Sequence, residues 1–166
     1  MSRSSSQSER FLFFYRDASP FSQWYPASFE LEGQQFTSAE QYMMYGKAQL
    51  FGDRDIAARI LQADHPRQQK ALGRQIQRFD DELWNREAKN IVYRGNHAKF
   101  TQNPELLLVL LATAGQTLVE ASPTDRIWGI GLSEDDPRIH QRATWRGTNW
   151  LGEVLTQLRE DLLSQV

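Results

Sequence analysis

The stretch Phe36–Gly52, FTSAEQYMMYGKAQLFG, constrains the chain more than any other. It sets a strand end, a helix start and a helix stop in close succession. Thr37 followed by Glu40 has the capping-box spacing, so the sequence predicts a helix starting after Thr37. Gly52 offers the left-handed residue on which helices commonly end, so this helix is short and stops at about Phe51. Glu40 and Lys47 are two helical turns apart, which puts them on nearly the same face and roughly 10 Å apart along the axis. Met44 lies between them. Two readings of the pair stand at this point. A carboxylate and an amine bordering an apolar strip can face each other across one small ligand. Equally, Glu40 can satisfy backbone N–H groups, and Lys47 can be a solvated lysine near a helix C-terminus, where its charge is favourable.

The flanking sequence supplies the remaining elements. Phe11 to Tyr15 reads as a buried strand, and Asp17 to Ala27 as a loop carrying Phe21, Trp24 and Tyr25. Ser28 to Phe36 alternates about a turn at Glu32-Gly33 and reads as a small hairpin. Asp53 can cap a second helix, and Pro66 suits the first turn of a third. Gly73 falls inside that third helix as read, at a cost of about 1 kcal/mol against alanine. Close approach of a partner or ligand is one reason to keep it. Asp80 or Asp81 starts a long helix toward Phe100. Asn103-Pro104 then starts a Leu-rich helix that is apolar nearly all round and so is expected to be buried. Leu118 to Ala121 is a short strand, Ser122 to Asp125 a turn, and Asn149 a cap for the last helix. The expected architecture is α+β. A mainly helical single domain over residues 11–166 packs around a small, mostly antiparallel sheet, behind a disordered tail over residues 1–10.

Composition narrows the function. The net charge is −2, which gives no reason to expect non-specific binding to nucleic acid or an anionic membrane. There are no cysteines, so disulfides, cysteine nucleophiles and thiolate metal sites are excluded. His65, His97 and His140 are scattered, and no metal is expected. The Leu-rich run is too short to cross a bilayer. No secretory signal is apparent, and the expected address is cytoplasmic. The chain has no P-loop, Rossmann fingerprint, HExxH or GxSxG motif. What remains is a set of polar and aromatic residues at element ends: Glu40, Lys47, Arg74, Trp84, Glu120, Asp125, Trp128 and Asn149. Each has a plain structural explanation. Asp125 can close an Asx turn, Asn149 can be only a cap, Glu120 an edge carboxylate, and the tryptophans core. Element ends around a sheet are also where functional groups collect.

Taken in order, these residues resemble a known family. Thr37-Ser38-Ala39-Glu40-Gln41-Tyr42 with Lys47, Leu72-Gly73-Arg74, Trp84, Lys99 to Asn103, Leu118-Val119-Glu120, Asp125 with Trp128-Gly129, and Asn149-Trp150-Leu151-Gly152 are similar to the NADAR/YbiA-like proteins, from about Phe13 to Leu162. The resemblance implies a YbiA-like fold and an N-glycosidase, a hydrolase that cleaves the C1′–N bond of a ribosylated base. It implies two substrate classes, phosphoribosylamino-pyrimidine intermediates of riboflavin biosynthesis and ADP-ribosylated guanine, with ADP-ribosylated nucleic acid as a further candidate substrate. It implies Glu40, Lys47 and Asp125 as catalytic residues, with Lys47 forming a Schiff base with the opened ribose. Arg74, Trp84, Glu120, Trp128, Gly129 and Asn149 would bind substrate. No cofactor and no membrane partner are expected, and the chain is expected to be a monomer or weak oligomer. The residue types suit the chemistry. Carboxylates stabilise an oxocarbenium-like state, a guanidinium grips phosphate bidentately, and tryptophans can stack on a base. A lysine nucleophile must be partly neutral, which a semi-apolar pocket favours and a tight carboxylate partner opposes. The alternative is a non-catalytic module for ADP-ribose or a nucleotide, which would need Arg74 and the tryptophans but neither Glu40 nor Lys47.

Overall fold

The computed structural model describes residues 9–165. Residues 1–8, most of the expected tail, lie outside them. The next two are held: the Arg10 carbonyl accepts from Thr117 N–H at 2.7 Å, and Glu9 pairs with Arg142 at 2.6 Å. The described residues form strands β1 (Phe11–Phe14), β2 (Phe29–Leu31), β3 (Gln34–Phe36) and β4 (Thr117–Glu120). The helices are α1 (Ala39–Leu50), α2 (Arg54–Gln62), α3 (Pro66–Gly73), α4 (Asp81–Thr101), α5 (Pro104–Leu111) and α6 (Trp150–Leu163). This is the mainly helical α+β class that the sequence predicts. The strands depart from a mostly antiparallel sheet. They form two pairs, β2–β3 antiparallel and β1–β4 parallel. A tight turn dictates the antiparallel sense of β2 and β3. Between β1 and β4 lie five helices, and so long a crossover permits the parallel sense.

The chain divides into two compact units, residues 16–109 and residues 9–15 with 110–165. In the first, α1 is the centre. It packs against α2, α3 and α4 and buries nine of its twelve residues. Phe36 enters from β3 and stacks on Phe29 at 5.5 Å, with Tyr42 edge-on at 5.1 Å. The start of α1 is shifted by one residue from the expected cap. Ser38, not Thr37, is the N-cap, its side chain accepting from Gln41 N–H. Gln41 reaches back to Thr37 N–H at 2.8 Å, so a Ser38–Gln41 pair takes the place of Thr37–Glu40. At the other end Phe51 is the C-cap and Gly52 has φ +70°. Asp53 caps α2 and also accepts from Gln77 N–H at 2.9 Å. The helix started by Pro66 ends at Gly73 rather than passing through it. A side chain at Gly73 would run into Met44, so the close neighbour of this glycine is α1.

In the second unit β4 is the buried strand. Val119, Ala121, Ile130, Leu132 and Ile139 form a core against which Phe11, Phe13 and Trp145 pack. α6 lies on β4, with Leu151, Leu155 and Leu158 buried. Helix α5 is less buried than its composition suggests. Leu106 and Leu110 are buried one turn apart, but Leu108 is 69% exposed and Val109 39%. Four residues make one helical turn, so 106 and 110 share a face that 108 and 109 leave.

Candidate active site

The functional side chains of residues 16–109 gather about α1. The shifted cap matters first. Because Ser38 and Gln41 do the capping, the Glu40 carboxylate is not the group that closes the helix start. Glu40 is buried, 6% exposed, and its backbone N–H donates to the Gln23 carbonyl at 2.9 Å. Two turns on, Lys47 is half-buried, not solvated. Its Nζ lies 4.8 Å from the centre of the Phe79 ring and 5.4 Å from that of Trp84. Burial lowers its proton affinity below that of an ordinary lysine. Glu40 raises it, Arg74 lowers it and Asp81 raises it, in that order after burial. The rings themselves favour the ammonium, which moderates the burial effect. Lys47 thus lies in a semi-apolar setting. Trp84 borders one side of it. Phe79 borders the other, and Met44, between Glu40 and Lys47 in the helix, is buried against Gly73.

Arg74 caps α3 through its backbone N–H, and its side chain is exposed. It lines an open groove of about 740 Å³ together with Arg59, Arg78, Gln75 and Gln77. Lys47 is not part of that lining. Arg74 is thus accessible to an anion while still electrostatically coupled to Lys47. Phe79, Asp81 and the buried Lys99 were not among the residues that the sequence singled out for the site.

In the other unit the candidates are held by backbone. Asp125 Oδ1 accepts from Ile127 N–H at 2.9 Å and Trp128 N–H at 2.8 Å, and Asp125 N–H donates to Ser122 Oγ at 3.1 Å. That is the Asx-turn arrangement anticipated as its plain reading. Gly129 fits where any Cβ would lie 2.9 Å from the Glu120 carbonyl and 3.1 Å from that of Asp125, so this glycine lets the loop close on β4. Trp128 meets Trp150 edge-on at 5.4 Å. Asn149 precedes α6 with φ +54° and makes no side-chain cap. It is fully buried, donating from Nδ2 to the Leu118 carbonyl at 3.1 Å and accepting at Oδ1 from Glu120 N–H at 3.0 Å. Its side chain fixes the end of the strand that carries Glu120. Among the described residues there is no cluster of His, Asp or Glu able to hold a metal ion. No helix of the described residues is long and apolar enough to cross a membrane.

The NADAR domain profile matches residues 13–163. The chain is 44% identical to Protein irg-1 of Caenorhabditis elegans, over 92% of this chain and 79% of that protein. It is also 44% identical to N-glycosidase R617 of Acanthamoeba polyphaga mimivirus, over 85% of this chain and 86% of that one. The fold matches the NMR structure of the Escherichia coli protein YbiA with a TM-score of 0.77 at 26% identity, covering 96% of this chain and 88% of that one. The chain belongs to the NADAR family.

Proposed function

We propose that this protein is an N-glycosidase that hydrolyses the C1′–N bond of a ribosylated base. The observation that carries the reading is Lys47, an amine whose proton affinity is lowered by burial and that is walled by Phe79 and Trp84 on the same helix as a buried carboxylate. N-glycosidase R617 supports it by relationship. A module that only held ADP-ribose would not need a lysine so placed.

The chemistry follows from these groups. The base leaves with the C1′–N electron pair and takes a proton from water, and the positive charge that this builds on the ribose is stabilised by the Glu40 carboxylate. Neutral Lys47 then attacks C1′ with its lone pair. The ring C–O bond opens, its oxygen takes a proton, and an imine forms between Nζ and C1′. Water adds to the imine, and C–N cleavage returns free lysine and the sugar. Glu40 is suited to move the protons of these steps. Arg74 would hold a phosphate of the substrate, and Trp84 is suited to stack on the base. Glu120, Asp125, Trp128, Gly129 and Asn149 complete the substrate-binding proposal, with Asn149 acting through the strand it braces. A cytoplasmic address belongs to the same proposal.

The substrate class is decided by incubating the protein with phosphoribosylamino-pyrimidines and with ADP-ribosylated guanine, free and in nucleic acid, and following release of ribose phosphate or ADP-ribose. Release of either with a free base is expected. Tight binding of both without release would replace the enzyme by the binding module.

A further inference from the structure

Behind the proposed site, α4 carries two buried polar side chains that the reaction does not touch. Asn96 and Lys99 are both fully buried and stand one turn apart. Lys99 Nζ donates to the Ser22 carbonyl at 3.0 Å. Asn96 Nδ2 donates to Gln23 Oε1 at 2.8 Å and to the Val92 carbonyl at 2.9 Å. The two side chains therefore fasten two adjacent residues of the loop preceding β2, Lys99 the first and Asn96 the second. The Gln23 side chain also reaches Met43 Sδ of α1 at 3.8 Å. The Gln23 backbone carbonyl, in turn, is the acceptor for Glu40 N–H. A continuous chain of bonds, buried at Lys99 and half-buried at Gln23, thus runs from α4, through Ser22-Gln23, to the backbone of the proposed acid–base residue.

Packing alone does not explain Lys99. A methionine of similar length would fill the space without desolvating an amine. Burial pushes Lys99 down to about 7. The aromatic rings of Tyr25 and Phe100 lie 5.7 and 4.9 Å from Nζ. Among the described residues, Asn96 Oδ1 is a buried acceptor without a hydrogen-bond partner. Such polar groups in a core are costly unless their bonds hold something in place.

We propose that Lys99, assisted by Asn96, is a positioning residue for Glu40, pinning the Ser22-Gln23 turn whose carbonyl fixes the first turn of α1. The proposal rests on the N-glycosidase reading for Glu40's task, while the anchoring itself is independent of it. A shift of an acid–base group by an ångström is enough to cost on the order of 100-fold in rate.

The test compares wild type with Lys99→Met in the full chain. Amide hydrogen exchange at Glu40 should rise by about tenfold while that of Ile91 in α4 stays unchanged, because one local bond is loosened and the fold is not. Turnover should fall by about 10- to 100-fold with KM nearly constant, a split that general destabilisation does not give. In a Glu40→Gln background the same change should add no further loss, since both substitutions act through one group. Unchanged exchange at Glu40, or an equal loss of turnover in the Glu40→Gln background, would overturn the proposal. Should Lys99→Met fail to fold, Gln23→Leu cuts the Asn96 side of the anchor and is judged by the same outcomes. A folded wild type that releases no sugar from either substrate class would sink the N-glycosidase reading. The exchange result would then decide the anchoring by itself.

Discussion

Two lysines of residues 16–109 show how one side chain becomes two different devices. Lys47 and Lys99 are both driven toward the neutral amine by burial. Lys47 keeps part of its surface, sits beside two aromatic rings, and feels Glu40, Arg74 and Asp81. Lys99 is sealed, with burial as the whole cause of its shift and a backbone carbonyl as its hydrogen-bond acceptor. A lowered proton affinity is therefore not enough to mark a nucleophile. Partial exposure and charged neighbours that tune the amine separate Lys47, the proposed nucleophile, from the sealed Lys99.

The sharpest way to break this comparison is covalent trapping. Borohydride added during turnover should fix a sugar on the peptide containing Lys47 and leave the Lys99 peptide unmodified. Lys47→Arg should abolish trapping and lower turnover by at least about 10³-fold, because a guanidinium keeps the charge but forms no imine. An active, untrapped Lys47→Arg protein would shift the attack to water activated by Glu40 and leave hydrolysis in place. A smaller effect is expected at Arg74. Arg74→Ala should raise KM for a phosphorylated ribosyl substrate about 10- to 100-fold, the cost of a lost charge-assisted bond, with the unliganded melting temperature almost unchanged. Unchanged KM would remove Arg74 from the phosphate role.

Lys99 makes a prediction about stability against pH. The unfolded lysine holds its proton up to about 10.5, and the folded one releases it at about 7. Between those values the unfolded chain binds more protons, so stability should rise with pH, by at most about 1.4 kcal/mol per pH unit. Urea titrations of Lys99→Met should lack this increment, and a slope equal to wild type would place the titration elsewhere. The smallest expected effect is at Lys47, followed by NMR of its side chain. Glu40→Gln removes a charge that raises the Lys47 pKa and should move it lower. Arg74→Ala removes one that lowers it and should move it higher. Shifts of the opposite sign would break the assignment of its neighbours.

Much of the scaffold was legible because its punctuation is chemical. Asp53 and Asp80 cap α2 and α4, Pro66 begins α3 and Gly52 follows α1, all as the sequence predicts. The cap of α1 was misplaced by one residue because two hydroxyls stand side by side, and both Thr37–Glu40 and Ser38–Gln41 have the box spacing. The choice is tertiary: Gln41 is also held by the Ile60 carbonyl of α2 at 2.9 Å. The pairing of Glu40 with Lys47 on one helix followed from helical spacing. Phe79 did not, because it lies in an irregular stretch with no period to read. The burial of Lys99 involves a loop far away in sequence. Asn149 read as a cap, but its positive φ turns the amide toward β4 instead. What stayed hidden was decided by contacts between distant segments, on which local pattern is silent.

The side-chain amide of Asn149 has one more consequence, seen along the strand. In β4, residues 117 and 121 donate to the β1 segment, so residues 118 and 120 present the opposite edge. Each polar backbone group there is taken. Leu118 N–H donates to Thr156 Oγ1 at 2.9 Å, the Leu118 carbonyl and Glu120 N–H are bonded to Asn149, and the Glu120 carbonyl accepts from Ile130 N–H at 3.0 Å. Asn149 thereby imitates a single peptide unit of a missing third strand. A pair of strands would ordinarily offer its bare rim as a template on which a foreign β-segment could grow. Among the described residues this rim of β4 offers no free backbone bond, so a foreign strand finds nothing to pair with along it.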